Sequence, residues 1–459
     1  MTGLDPGPRA ADPHPDESRT FGSPSADPRA VELRAADLRL AELHHSLSDP
    51  LLSAMTFLNE VTARFPEAIS FAPGRPHEKL FDPDSIAENL AAYRDHLHAQ
   101  GLDRGQVRTA LFQYGRTKGQ IHDLIARTVA NDEGIHVPAD AVVVTVGAQE
   151  GMLLVLRALF ADPGDVLLVA SPCYVGITGA ARLLGIPLEP VPETDAGPDA
   201  GRVAEAIGRV RAAGRRPRAL YLVPDFANPS GASMSVAQRE RLLALAAAEG
   251  VLVIEDNPYG FFTGADVRTP TLKALDRERS VVHIGSFAKT CFPGARLGYV
   301  LADQRVVAAD GSTSLLADAL AQVKSMTTVN TPSLSQAVIG GLLVRSGCRL
   351  REANAEGIAF YRRNMALLLA ELGRHFPPGS GVRWNTPAGG FFAVLTVPFA
   401  ADAAALEVSA REFGVLWTPM DAFHLDGGGR DRLRLSCSYV DPEELVEGVR
   451  RLAAFIRSR

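Results

Sequence analysis

Ser286-Phe287-Ala288-Lys289-Thr290-Cys291-Phe292-Pro293-Gly294-Ala295-Arg296-Leu297-Gly298-Tyr299 is the stretch from which the rest of this chain is read. At its centre stands Lys289, one of five lysines in a chain that draws nearly all its positive charge from arginine. A lysine amine loses its proton readily once buried or set beside another cation, whereas a guanidinium does not, so lysine is the side chain suited to forming an imine near neutral pH. The apolar run 281–284 precedes Lys289, and Pro293-Gly294 turns the chain toward Arg296. The stretch therefore predicts a strand that delivers a reactive amine to a loop beside an anion-binding arginine. Lys79, Lys118, Lys273 and Lys324 lie among polar neighbours and are expected on the surface.

Outward from this point, short apolar runs recur at 141–146, 166–170, 220–223 and 251–254, with helical segments between them. Their near-continuous apolar character predicts strands covered on both faces. One intervening segment, 236–249, has Ser235 and Gln238 at capping-box spacing and Gly250 as a stop. The alternation predicts an α/β fold, a mainly parallel sheet with crossover helices whose ligands gather at the carboxyl ends of the strands. After about residue 333 the pattern becomes a long helical stretch, the run Gly389-Gly390-Phe391-Phe392 and an alternating strand over 433–438, which together read as a smaller α+β domain. Four parts are expected: a disordered tail rich in Pro, Asp, Gly and Ser over 1–30, an arm and covering segment over 31–80, a large domain over 81–332 and the small domain over 333–459. Within the arm, Leu33, Leu38, Leu40, Leu43 and Leu47 have amphipathic helical spacing.

Composition narrows the function classes. With 459 residues, 46% hydrophobic and a formal charge of -6, the chain can bury a large core. It shows none of the clustered basic residues of a nucleic-acid surface. No apolar run approaches the length of a membrane span, and the first residues lack the apolar core of a secretory signal. Cys173, Cys291, Cys348 and Cys437 are far apart without C-x-x-C spacing, so no metal site or disulfide framework is expected and a reduced, cytoplasmic setting fits.

The chemistry-bearing residues fall at predicted strand ends. Gly147-Ala148-Gln149-Glu150 joins a strand to a helix over 152–160, a geometry that either offers free N–H groups to a phosphate or is an ordinary β–α turn. Asp256, in Glu255-Asp256-Asn257-Pro258-Tyr259, is placed to pair with a protonated pyridine nitrogen or to cap a turn. Asn228, in Asn228-Pro229-Ser230-Gly231, either donates to a ring phenolate oxygen or belongs to a simple turn. The succession of phosphate turn, asparagine turn, acidic strand end and lysine loop describes a site for a phosphorylated aldehyde cofactor. On the strand over 433–438, alternation sets Arg434, Ser436 and Ser438 on one face and Leu433, Leu435 and Cys437 on the other.

From about Asp49 to about Arg457 the chain resembles the fold-type I pyridoxal-phosphate enzymes of the class I/II aminotransferase family, above all in the run around Lys289 and in Asn-Pro-Ser-Gly with a downstream Asp-x-x-Tyr. The resemblance implies that Lys289 binds the cofactor covalently, Asp256 pairs with the pyridinium, and Asn228 and Tyr259 contact the phenolate oxygen. It implies that Ser286, Arg296, Ala148 and Gln149 hold the phosphate, that Tyr174 stacks on the ring, and that Tyr114 reaches the phosphate of a neighbouring subunit in a homodimer with shared sites. Arg434 matches the family arginine that grips the substrate α-carboxylate, a task suited to a bidentate guanidinium. Residues 70–76 resemble the substrate-covering loop, which Gly74 fits, while Arg75 either meets a distal acid or faces solvent. Trp417 and Phe423 approach the site but read as core aromatics. Where many members of the family carry Ser-x-Ser-Lys, this chain has Ala288, which removes one phosphate contact.

Within the family, the resemblance is to the 2-aminoadipate and kynurenine aminotransferase subgroup, and residues 171–182 and 412–420 resemble a dihydroxyphenylglycine-type aminotransferase of specialised, antibiotic-related metabolism. The expected activity is amino-group transfer between an α-amino acid and a 2-oxo acid. Elimination, cyclisation or oxidation of an unusual amino acid uses the same cofactor and is the competing reading. Two readings of another class are a binding protein that keeps the cofactor without turnover and a transcriptional regulator with an aminotransferase-like domain, for which the leading segment is too short and too acidic.

Overall fold

The computed structural model describes residues 38–49, 52, 60, 63–264 and 268–459, so the tail expected over 1–30 and Leu33 lie outside the described residues. The chain forms two units, Met1–His45 and Ser46–Arg459. In the first, Leu40–Glu42 makes a single 3-10 turn with Leu38 and Leu40 exposed. Helical spacing without a buried face does not hold a short helix in water.

The second unit is organised by an eight-stranded sheet. In chain order its strands are β1 (Val142–Thr145), β2 (Asp165–Ser171), β3 (Leu188–Thr194), β4 (Gly197–Pro198), β5 (Arg216–Leu222), β6 (Leu252–Asp256), β7 (Val281–Ser286) and β8 (Gly298–Leu301). They lie in the order β1-β8-β7-β6-β5-β2-β3-β4. Neighbours from β7 to β3 pair in parallel, while β8 runs antiparallel to both β1 and β7, and β4 antiparallel to β3. β1 and β2 are buried along their whole length because crossover helices cover both faces, as their apolar sequences predict. The helix Val236–Glu249 carries the expected capping box between Ser235 and Gln238 and ends at Gly250 in the left-handed region. The helix Ser333–Arg345 contributes Ala337, Ile339 and Leu343 to a core shared with Tyr93, Leu124 and Val142.

A second sheet is antiparallel, with β9 (Arg383–Trp384), β10 (Phe392–Thr396), β11 (Thr418–Pro419) and β12 (Arg432–Ser436) in the order β9-β10-β12-β11. Its alternation is the predicted one. Leu433, Leu435 and Cys437 enter an apolar core with Trp417 and the helix Pro442–Arg457, each aliphatic side chain adding roughly 1.5–3 kcal/mol by leaving water. The opposite face of β12 is tied to the segment after Ile69–Ser70: Ser436 N donates to Phe71 O (2.8 Å), Arg434 Nη2 to Ala72 O (2.7 Å) and Ser438 Oγ to Arg75 O (2.7 Å). That segment is further anchored where Ile69–Ser70 pairs in parallel with Val415–Leu416.

Two lysines expected on the surface are buried. Lys273 donates to Asp303 Oδ1 (2.5 Å) and Val281 O (2.9 Å), and Lys324 to both oxygens of Glu150. Asp303 lies 30 residues from Lys273 and Glu150 lies 174 from Lys324, so neither carboxylate shows in the local sequence, and burial is tolerated because each ammonium is paired.

Candidate active site

The carboxyl ends of β1, β2, β5, β6 and β7 surround a cavity of about 380 Å³. Asp256 is the last residue of β6, Lys289 lies three residues past the end of β7, Asn228 follows β5, Tyr174 follows β2, and Gly147 opens the helix Gly147–Leu159 directly after β1. The lining joins Gly74, Ala148, Gln149, Tyr174, Asn228, Asp256, Tyr259, Ser286, Lys289, Arg296 and Arg434. Of the residues expected to hold the cofactor or the substrate, Tyr114 alone lies outside this lining, 84% exposed beyond the helix Arg104–Phe112.

Glycines allow the turn after β1 to close on its neighbours. A Cβ on Gly147, whose φ is +70°, would lie 2.8 Å from Arg296 Nη2, and one on Gly298 would lie 2.7 Å from the Ala148 nitrogen. Arg296 is delivered by a left-handed residue, its own φ being 49°. Gln149 Nε2 donates to Gly176 O (2.9 Å), and Gly176 leaves room for the Tyr174 ring, which a Cβ would meet at 2.3 Å. Ser286 Oγ accepts from Ala288 N (3.2 Å).

Burial governs the charges. Lys289 is drawn down to about 8 by burial, helped by the nearby Arg296 and Arg434 cations, and its Nζ donates to Gly74 O at 2.7 Å. Burial lifts Asp256 to about 6, opposed by the hydrogen bond from Tyr221 OH to its Oδ2 (2.7 Å). Its Oδ1 is buried with no partner among the described residues. The adjacent Glu255 faces away, as alternation requires, and is held by Leu272 N, Lys273 N and His283 Nδ1. Burial raises Tyr174 to about 12 and Tyr259 further still, with Asn228 hydrogen-bonded to the latter.

Arg434 is 4% exposed and has no carboxylate partner among the described residues. It donates to Asn228 Oδ1 (2.5 Å), Ala72 O (2.7 Å) and Thr418 Oγ1 (3.1 Å), its Nε is unpartnered, and it lies 4.4 Å over the Phe392 ring and 5.3 Å over that of Phe423. Burial lowers it to about 10.

These features fit pyridoxal phosphate. A buried carboxylate oxygen without a donor suits a protonated heterocyclic nitrogen, the lysine amine gives up its proton more readily than an exposed one, and the helix N-terminus with Arg296 suits a phosphate. Arg434, also in the lining, is a buried cation with no carboxylate partner among the described residues and is suited to receiving one. Among the described residues no cluster of His, Cys, Asp or Glu could hold a metal ion, and no helix is long and apolar enough to cross a membrane.

Some site residues escaped the sequence. Tyr221 sits in an apolar strand, and its hydroxyl was a signal, since a buried tyrosine needs a partner. Phe392 fills the space that a Cβ on Gly74 would take, at 2.4 Å. Trp417 is core as expected, with Nε1 on Ser409 Oγ (3.0 Å), and Phe423 is core too, packed with Val175 and Met420, while its ring also lines the cavity 5.3 Å from the Arg434 guanidinium. Arg75 lies at the cavity with its guanidinium 3.8 Å over the Tyr439 ring.

Comparison with known proteins agrees with this geometry. The family model for aminotransferase class I and II matches residues 90–452. A (S)-3,5-dihydroxyphenylglycine transaminase of Amycolatopsis orientalis is 51% identical over 93% of this chain and 96% of its own length. A 2-aminoadipate transaminase of Thermus thermophilus is 32% identical over 88% of this chain and 94% of its own. The crystal structure of the α-aminoadipate aminotransferase LysN from Thermus thermophilus, complexed with N-(5'-phosphopyridoxyl)-L-leucine, superposes with a TM-score of 0.74 at 30% identity, covering 91% of this chain and 99% of that one.

Proposed function

The chain belongs to the class I and II aminotransferases and moves an amino group between an α-amino acid and a 2-oxo acid, and within that activity we propose that Lys289 holds pyridoxal phosphate and handles the substrate proton. The observation that carries this assignment is a single cavity that joins a lysine drawn down to about 8, a buried carboxylate oxygen without a donor and two arginines with no carboxylate partner among the described residues. Bound pyridoxal phosphate supplies a cationic ring that takes up the electron pair left at the substrate Cα. Asp256 would keep the ring nitrogen protonated, Tyr259 and Asn228 would meet the phenolate oxygen, and Ala148, Gln149, Ser286 and Arg296 would hold the phosphate. Arg434 receives the substrate carboxylate. Lys289 would take the substrate Cα proton at Nζ and hold it for return within the same turnover. In the second half-reaction the same residues act in reverse order on a 2-oxo acid.

Tyr114, exposed in one protomer, is assigned to the phosphate of a second copy in a homodimer, and a cytoplasmic setting suits the free cysteines. The similarity to a dihydroxyphenylglycine transaminase supports an arylglycine as one substrate, with specialised metabolism as the setting. The test is a panel of arylglycines, aromatic amino acids and dicarboxylic amino acids added to the aldehyde-loaded enzyme. Conversion of bound aldehyde to its amine form by arylglycines is the expected result. Ammonia or a cyclic product without the amine form would refute it.

A further inference from the structure

Glu150 is the fourth residue of the helix Gly147–Leu159, one position beyond the turn assigned to the phosphate in the reading above, on which this inference rests. Its carboxylate lies outside the cavity lining and accepts from Val146 N (2.6 Å), from Thr328 Oγ1 (2.5 Å) and twice from Lys324 Nζ (2.8 and 3.0 Å). Lys324 is completely buried on the helix Leu316–Ser325, 174 residues away in sequence, and its remaining donor goes to Thr328 Oγ1 (2.8 Å). Buried ion pairs contribute less to stability than well-packed apolar residues of the same volume, so stability alone is a poor account of this one. Position and charge give a better one. A free carboxylate in the first turn of a helix competes with an incoming anion for the positive end of the macrodipole. Here it tethers the residue immediately before the turn while a buried ammonium cancels its charge.

We propose that Lys324, acting through Glu150, is a positioning residue for cofactor binding: it fixes the turn Gly147–Gln149 and neutralises the carboxylate that would otherwise repel the phosphate. The effect is specific to the phosphate, which separates it from general destabilisation. Equilibrium binding of pyridoxal phosphate and of pyridoxal, which has the same ring and aldehyde but no phosphate, is to be measured on the full-length enzyme stripped of cofactor. Variants are Lys324→Met, Glu150→Gln and the double variant.

Lys324→Met is expected to weaken pyridoxal phosphate at least about 10-fold while pyridoxal stays within about 2-fold, the scale of one uncompensated charge at an effective dielectric near 20. The double variant, neutral again, is expected to return to within about 3-fold of wild type. Equal losses for both ligands, no loss, or no recovery in the double variant would overturn the proposal. If Lys324→Met does not fold, Glu150→Gln decides, since it keeps the tether and removes the negative charge. Binding of pyridoxal phosphate as tight as wild type or tighter supports the proposal, and a loss beyond about 10-fold contradicts it. A wild type that does not distinguish the two ligands would instead remove the phosphate reading itself.

Discussion

Replacing Tyr221 by Phe removes one hydroxyl and leaves a buried ring of nearly the same shape. That hydroxyl donates to Asp256 Oδ2 at 2.7 Å, and Oδ1 already has no partner, so the variant leaves both carboxylate oxygens without a donor from the described residues. A hydrogen bond to a charged group contributes about 1.5–3 kcal/mol, which at about 1.4 kcal/mol per decade corresponds to roughly 10- to 150-fold. The lost interaction favours the ionised form, so its removal moves Asp256 upward from about 6, by roughly 1–2 units. At pH 7 a carboxyl that was mostly ionised becomes half or more protonated and pairs less well with a cationic ring nitrogen. The assay is kcat/KM against pH for the variant and wild type, with thermal unfolding to establish that both are folded. The expectation is a loss of roughly 2- to 10-fold at pH 7, deepening to roughly 5- to 50-fold at pH 6 and shrinking toward pH 8.5. A variant within 2-fold of wild type and with the same pH profile would refute the chain of reasoning from Tyr221 through Asp256 to the ring.

Other outcomes follow from the same site. Arg434→Met removes the buried cation assigned to the carboxylate, and the KM for amino acids is expected to rise by on the order of 100-fold, two charge-assisted hydrogen bonds being lost, while the absorbance of bound cofactor is kept; an unchanged KM in steady-state kinetics contradicts the assignment. Covalent uptake of pyridoxal phosphate by cofactor-free enzyme requires the neutral amine. With Lys289 near 8 instead of 10.5, about one-tenth is neutral at pH 7, and stopped-flow uptake should rise with pH and level off above about 8. A rate still climbing through pH 10 would mean the amine is not shifted.

Much of the sheet and most of the site could be read from the chain because both are written in local pattern. The apolar runs ending at Thr145, Asp256 and Ser286 are strands because helices cover both their faces, and a parallel sheet collects ligands where such strands end. Asp256, Asn228 and Lys289 were visible there as chemistry-bearing residues at strand ends. What escaped depended on distance along the chain. Lys324 finds Glu150 across 174 residues and Tyr221 finds Asp256 across 35, and nothing in their immediate neighbours announces it. Phe423 is buried as its aromatic character suggested, but that its ring also lines the cavity 5.3 Å from Arg434 depends on the turn Asp421–Phe423 and is not announced by its neighbours. The motifs also define a cofactor without defining the fate of the substrate carbanion, which is why transamination had to come from the family relationship.

The covalent link itself is the most direct test. Borohydride reduction of the loaded enzyme, followed by proteolysis and mass spectrometry of the labelled peptide, should find the pyridoxyl group on Lys289, in the peptide that runs through Ser286 and Thr290. Label on Lys79, Lys118, Lys273 or Lys324, or no label on any lysine of an enzyme that still turns over, would contradict the account.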